Sequence, residues 1–243
     1  MNNRLAYEKY HLDPKVQRKI IGEDNFTYRN IIGGLKQIYK SNMRVLDVGC
    51  GVGTLDFYLA SNGAKVDAID ISKTAIRIAN KTKKILGLED QIKFYVGDFI
   101  KRDLNNTYDL VLVLEVLEHI QDPNSVLVKL HELLKPNGLI YLSVPSKGAP
   151  LYKLGLLKKF DKNVGHLRRY SADEISVIIK GLGFRILSQW NEEGILRNLL
   201  FTNSFLGRMV KFIRGMMSNL FFLVDRMTIP FFGSSQILLI AQK

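Results

Sequence analysis

The chain has one cysteine in 243 residues. That excludes an internal disulfide framework and fits a reducing compartment. Cys50 lies between two glycines, where a small residue fits, and it reads as packing instead of as a nucleophile. No stretch reaches the roughly 18 consecutive apolar residues that a spanning helix requires. Met1 to Asp13 is polar and has no apolar segment of the secretory kind, so the expectation is a cytoplasmic protein. No internal repeat and no low-complexity tract interrupts the chain. At 47% hydrophobic and 24% charged residues the composition argues against global disorder.

Negative charge is scarce outside the middle of the chain. The net charge is +12, but residues 44–145 are nearly neutral, with 12 Lys and Arg against 13 Asp and Glu. Residues 146–232 carry 14 against 6, and residues 1–43 carry 8 against 4. A basic excess confined to the flanks favours an anionic partner: a phosphate-bearing substrate, a nucleic acid or an acidic membrane surface.

The neutral middle holds the most informative stretch, Val45-Leu-Asp-Val-Gly-Cys-Gly-Val-Gly-Thr-Leu-Asp-Phe-Tyr-Leu-Ala60. Val45 to Val48 suits a buried parallel strand. Gly49, Gly51 and Gly53 allow a sharp turn with close ligand approach, and helical spacing begins at Thr54. A dinucleotide loop reads Gly-x-Gly-x-x-Gly. This one reads Asp-x-Gly-x-Gly-x-Gly, with Asp47 still on the strand. A carboxylate there repels phosphates and suits a ligand bearing an ammonium group. Further on, Lys65 to Asp70 forms a strand ending in an acid about 20 residues past the glycines, placed to accept ribose hydroxyls. Ile71 follows it, and Ser72 can cap the next helix. A third strand runs from Ile92 to Gly97 before Asp98 and Phe99. A fourth, from Tyr108, leads into Glu115-Val-Leu-Glu118-His119. Asp122-Pro123 starts a helix, Leu134 to Gly138 stops it, and Leu139 to Val144 reads as a fifth strand.

These landmarks, in this order, resemble class I S-adenosylmethionine-dependent methyltransferases of the type 11, ubiquinone-pathway O-methyltransferase-like branch. The resemblance implies an α/β fold: a Rossmann-like sheet of seven strands, mostly parallel, with a reversed C-terminal hairpin, a helical N-terminal cap and helical insertions. Phe184 to Trp190 and Gln236 to Ala241 would form the hairpin. It also implies S-adenosyl-L-methionine as co-substrate. Asp47, Gly49, Gly51, Gly53 and Glu115 would border its methionine part, Asp70 and Ile71 its ribose, and Asp98 and Phe99 its adenine.

The chain divides on this reading into residues 1–43, a helical cap, and residues 44–243, the catalytic unit, with insertions at about 146–170 and 195–232. Ile31, Ile32, Leu35 and Ile38 predict a helix before Ser41, and Pro14 predicts another beginning at Lys15. Ser171 and Glu174 form a capping box.

Catalysis is expected from His119, His166 and Glu118. The run Glu115-x-x-Glu118-His119 resembles the arrangement in ubiquinone-pathway and small-RNA O-methyltransferases that use magnesium or related ions, with His166 as a further ligand. The same residues occur without metal, where they only shape the pocket. His166 in the run His166-Leu-Arg-Arg-Tyr170-Ser171 also reads as a general base, or as a loop histidine bonded to backbone. Residues 195–232 interleave phenylalanines with Arg197, Arg208, Lys211, Arg214 and Arg226. Three readings stand for them: a lid over a hydrophobic substrate, peripheral contact with an anionic membrane, or a packed helical pair. The expected acceptor is a small or lipid-linked molecule, methylated at oxygen. The alternatives are RNA methylation and a non-catalytic cofactor-binding partner module.

Overall fold

The computed structural model describes residues 16–203, 206 and 216–243. Seven strands form one sheet in the order β3-β2-β1-β4-β5-β7-β6. They are β1 (Arg44–Val48), β2 (Lys65–Asp70), β3 (Ile92–Val96), β4 (Tyr108–Leu114), β5 (Leu134–Pro145), β6 (Arg185–Glu192) and β7 (Gln236–Gln242). β1 to β5 pair in parallel, whereas β7 runs antiparallel between β5 and β6. The reversed terminal hairpin is therefore present. β4 and β1 lie at the centre, and their near-continuous Val and Leu runs are buried on both faces, as central parallel strands require.

Helices cover both faces. One carries α1 (Arg29–Ile38), α2 (Thr54–Ser61) and α3 (Lys73–Leu86), which bury Ile31, Ile32, Leu35, Phe57, Leu59 and Ala79. The other carries α4 (Pro123–Leu133) and α7 (Ala172–Gly181), packed through Val126, Leu127, Leu130, Ile175 and Ile179. Between β5 and α7 lie two short helices, α5 (Pro150–Lys153) and α6 (Lys158–Val164). Two more, α8 (Ile195–Thr202) and α9 (Met216–Phe232), fill the β6–β7 connection.

The expected caps form. The Ser72 hydroxyl accepts from Ala75 N at 3.1 Å, and Ser171 with Glu174 completes the capping box. Two expectations need correction. Residues 16–28 contain no helix; Asn25 N donates to Gly22 O, and the Asn25 side chain accepts from Thr27 and Tyr28, so a turn seats α1 instead. Lys15 itself and His11 lie outside the described residues. β5 begins at Leu134, not Leu139: Leu134 pairs with Tyr108, and an irregular stretch with Asn137 at a left-handed φ of 61° shifts the register before the regular ladder resumes at Leu139.

Topology places the site. Pro145 at the end of β5 pairs with Gln236 at the start of β7, which also faces Glu192 at the end of β6. The segments 146–170 and 193–235 thus emerge at the same sheet edge as the glycine turn, Asp70 and Glu115. That edge is where open parallel sheets bind ligands.

Candidate active site

The glycine turn is held by its neighbour strand. Gly49 N and Cys50 N donate to Ile69 O at 2.8 and 3.2 Å. Gly49 and Gly53 both adopt φ of +81°, and a Cβ on either would fall 2.4 Å from Val116 Cγ2 or 2.6 Å from Phe94 Cζ. Only glycine fits both positions. Asp70 ties the crevice together, its Oδ2 accepting from Gly51 N and its Oδ1 from Ser72 N, each at 2.8 Å.

Three carboxyls, Asp47, Asp56 and Asp70, converge under this turn with little exposure. Burial, and secondarily the charge of Asp70, push Asp47 up to about 7, while a hydrogen bond with Asp56 opposes the rise. Burial first, then the Asp47 charge, push Asp56 well above the carboxylate range. Asp67, one turn of the strand away, shows how this fold treats a purely structural buried acid. It receives bonds from Tyr108, Tyr95, Asn106 and Arg44. Neither Asp56 oxygen receives one from an N–H or hydroxyl group among the described residues. A buried cluster short of positive charge suits a ligand that brings its own, such as the ammonium and sulfonium of S-adenosylmethionine.

Ile71 is half-buried after Asp70, and Asp98 is exposed past β3. Phe99 is only 6% exposed, with Lys129 Nζ 5.0 Å from its ring centre. Ile100, at 40%, is the more open side chain of that loop.

Across the crevice, Glu115 ends β4 at a left-handed φ of 55°. Such a conformation costs a non-glycine residue energy and persists only where surroundings impose it. Here Glu115 N donates to Ser143 O at 3.1 Å, while Ser143 Oγ and Gln236 Nε2 donate to its Oε1 at 2.8 and 3.1 Å. Ser143 and Gln236 thereby fix the Glu115 carboxylate, whose charge is felt at Glu118.

Glu118, His119 and His166 come together as a cluster whose ligand atoms all lie within 4.8 Å of one another. His119 Nδ1 faces Gly165 O at 3.1 Å, and His166 Nδ1 faces Asp161 Oδ1 at 3.0 Å. Both partners are acceptors, so each Nδ1 carries the ring proton and each Nε2 presents a lone pair. Those lone pairs point at Glu118 Oε1 from 3.7 and 3.9 Å, too far for hydrogen bonds. Burial drives His119 below its ordinary value; burial and then His119 drive His166 down to about 4. Burial and the Glu115 charge push Glu118 well up. Neither Glu118 oxygen has a hydrogen-bond partner among the described residues. A buried carboxyl and two imidazoles thus share one centre, which fits a divalent ion, with carbonyl and carboxylate fixing the imidazoles from behind. His131 stands apart, packed edge-on against Phe184.

Several participants escaped the sequence reading. Asp161, within the basic insertion at about 146–170, holds His166 and also accepts from Arg169 Nε and Nη2 at 3.0 and 2.6 Å. Asp56, Ser143 and Gln236 were likewise missed. A carboxyl between Leu55 and Phe57 on an otherwise apolar helix was the one available signal.

The family described as a methyltransferase domain matches residues 26–189. The ubiquinone biosynthesis O-methyltransferase of Azotobacter vinelandii is 33% identical over 114 residues, 47% of this chain and 49% of that protein. The mitochondrial ubiquinone biosynthesis O-methyltransferase of Schizosaccharomyces pombe is 38% identical over 108 residues, 44% of this chain and 39% of that protein. The matches span about half of these relatives or less. Among solved structures, the magnesium protoporphyrin IX methyltransferase of Synechocystis PCC 6803, with bound S-adenosylhomocysteine, superposes with a TM-score of 0.64 at 19% identity, over 100% of this chain and 95% of that one. An N-methyltransferase of Bradyrhizobium japonicum WM9, also bound to S-adenosyl-l-homocysteine, gives 0.63 at 14%, over 100% and 99%. These neighbours bear on the fold. The chain belongs to the methyltransferase-domain family, with the class I, S-adenosylmethionine-dependent architecture.

Proposed function

We propose that this protein transfers the sulfonium methyl of S-adenosylmethionine to an oxygen of a small or lipid-linked acceptor. The observation that supports this reading best is that two clusters follow the ends of the adjacent parallel strands β1 and β4. One is the carboxyl cluster under the glycine turn; the other is the Glu118–His119–His166 centre. In the same reading residues 1–43 form a cap and 44–243 the catalytic unit, with the segments at 146–170 and 195–232 shaping the acceptor side.

Asp47 with Asp56 and the turn hold the methionine part, Asp70 and Ile71 the ribose, and the Asp98–Phe99 loop the adenine. The displacement needs acceptor oxygen, methyl and sulfur in line, so positioning supplies much of the acceleration. As the new carbon–oxygen bond forms, the carbon–sulfur bond breaks and neutral S-adenosylhomocysteine leaves. The acceptor hydroxyl gives up its proton to His166 Nε2, which Asp161 keeps in the basic tautomer. In the alternative route a divalent ion held by Glu118, His119 and His166 would acidify the acceptor hydroxyl and the proton would pass to solvent, since a His166 Nε2 that ligates the ion no longer accepts a proton.

The test uses methyl-labelled S-adenosylmethionine, purified protein and fractionated cell extract, with and without chelator. Label is expected in the lipid or small-molecule fraction. Label confined to RNA would replace the acceptor assignment. Cofactor binding without label in any fraction would favour the non-catalytic module. An unchanged rate under chelation would remove the ion.

A further inference from the structure

Helix α9 is built inside out. Its inward positions are Ser218, Phe221, Phe222, Asp225, Thr228 and Ile229. Two polar members of that set, Asp225 and Thr228, bind the neighbouring helix. Asp225 accepts from Gly194 N at 2.8 Å and Arg197 N at 2.9 Å, and Thr228 Oγ1 accepts from Ile195 N at 3.1 Å. These are the amide groups that the start of α8 leaves without intrahelical partners. Arg197, 1% exposed, adds a second tie through Glu193 at 2.7 Å and the Phe26 carbonyl at 3.2 Å. The inner face is thus fully occupied in holding α9 to the domain.

The outer face carries Met217, Leu220, Val224, Met227 and Phe231, spaced 3, 4, 3 and 4 residues apart, and they are 65, 62, 42, 64 and 82% exposed. That spacing puts them in one stripe along the helix. A water-facing helix normally shows the reverse arrangement. At its end the stripe meets a second apolar tip. Lys153 Nζ donates to Phe232 O at 3.4 Å, and beyond Lys153 stand Leu154 and Leu156, 68 and 64% exposed. Contiguous apolar exposure of this kind marks an interaction surface. Among the described residues no helix is long and apolar enough to cross a membrane.

The charges around it select the occupant. Lys153, Lys158, Lys159 and Lys162 cluster in and beside the Leu154–Leu156 tip, and Arg226 sits on α9 itself; all are exposed. The one acid of that tip segment, Asp161, is consumed by His166 and Arg169. A second copy of the chain would bring the same cations into contact with these. An anionic lipid surface instead takes the apolar stripe between its headgroups and complements the lysines.

We propose that the outer face of α9 and the 152–156 tip form a docking surface for an anionic phospholipid bilayer. It lies at the same sheet edge as the crevice, so docking presents the acceptor side to the membrane. The surface stands independently of the methyl-transfer reading, because binding to lipid can be measured without turnover.

The experiment is co-sedimentation of the full chain with phosphatidylglycerol–phosphatidylcholine vesicles and with pure phosphatidylcholine vesicles, across a salt series. Wild type is expected to pellet with the anionic vesicles at least tenfold more strongly than with the neutral ones, and less as salt rises. The double variant Met227→Glu/Phe231→Glu is expected to lose at least tenfold in partitioning. Its melting temperature and affinity for S-adenosylhomocysteine should stay at wild-type values, since both side chains face solvent. Equal pelleting of wild type and variant, or no pelleting with anionic vesicles, overturns the proposal. So does a wild-type dimer in sedimentation velocity that the double variant abolishes without any vesicle binding, which would assign the stripe to a second copy.

Discussion

The two walls of the crevice are assembled by different rules. On the cofactor wall nearly every contact is made by backbone or by an acid at a strand end: Gly49 N to Ile69 O, Gly51 N to Asp70, Ser72 N to Asp70. Its parts come from two adjacent strands and their turns. On the acceptor wall groups meet from distant segments. Gly165 O meets His119 across 46 residues, and Leu167 N donates to Glu118 O at 2.8 Å. In the proposed reading the first wall takes the co-substrate through backbone and strand-end groups that the sheet itself positions. The second is free to vary with the acceptor, because no strand geometry dictates it. Loops on a rigid scaffold are where such variation is cheapest.

If that division holds, damage should separate cleanly. The largest effect is expected from His166→Ala. Removing a positioned base lowers turnover by about a hundredfold to ten-thousandfold, while affinity for S-adenosylhomocysteine by calorimetry stays near wild type. A parallel loss of cofactor affinity would mean that the walls are one unit. Asp70→Ala is the converse. It removes the acceptor of two backbone N–H groups at 2.8 Å as well as the proposed ribose contact. Each charge-assisted bond contributes roughly 1.5–3 kcal/mol, so affinity is expected to fall by about a hundredfold or more. Retained binding would move the ribose to another residue.

The same contrast explains what the sequence disclosed. Asp47, the three glycines and Asp70 sit at fixed distances from strand ends, so hydrophobic runs located them, while the seven-stranded sheet with its reversed hairpin was implied by the family resemblance. Glu118, His119 and His166 were found by residue type, and the fold brings them within one cluster. Asp161 was invisible, because nothing in a lysine-rich stretch reveals which carboxylate will turn inward at the end of a short helix. Asp56 was passed over because helical periodicity treats a single acid as a solvent-facing residue, yet it is fully buried. The contacts of Arg197 with Glu193 and Phe201 are local, four residues away on either side, but its stacking against Phe26 and Phe222 is tertiary. Length and aromatic content announced the α8–α9 pair; its inverted faces appear only when buried and exposed positions are known.

A smaller effect tests the cofactor wall through protons. Burial pushes Asp47 up to about 7 from an ordinary value of 3.8. An arriving ammonium favours the anion, so below that value binding expels the proton Asp47 carries, while Asp56, pushed well above the carboxylate range, keeps its own. Affinity for S-adenosylhomocysteine is therefore expected to weaken by up to about tenfold for each pH unit below 7, and to level off above it. Asp47→Asn should flatten this slope. An equal slope in the variant would place the linked proton elsewhere.

The finest test lies behind the acceptor wall, at Asp161→Asn. The side chain touches no proposed substrate position and acts through His166, whose Nδ1 it meets at 3.0 Å, and through Arg169. An amide can still accept a hydrogen bond, so the ring is expected to keep its place. What is lost is the negative charge that raises His166 against burial, against His119 and against Arg169. With that charge gone and Arg169 unneutralised, both changes push the imidazole further down from about 4. A weaker base predicts a fall in turnover of about tenfold, the scale expected when the partner behind a functional histidine is changed. Imidazole NMR should show the His166 midpoint moving to lower pH. A purely structural Asp161 would lower stability and leave that midpoint in place. If chelator abolishes wild-type turnover, the same variant should also weaken retention of the divalent ion, because Nε2 loses basicity as Nδ1 loses its carboxylate. Turnover that falls while both midpoint and ion retention hold would place the proton on a group other than His166.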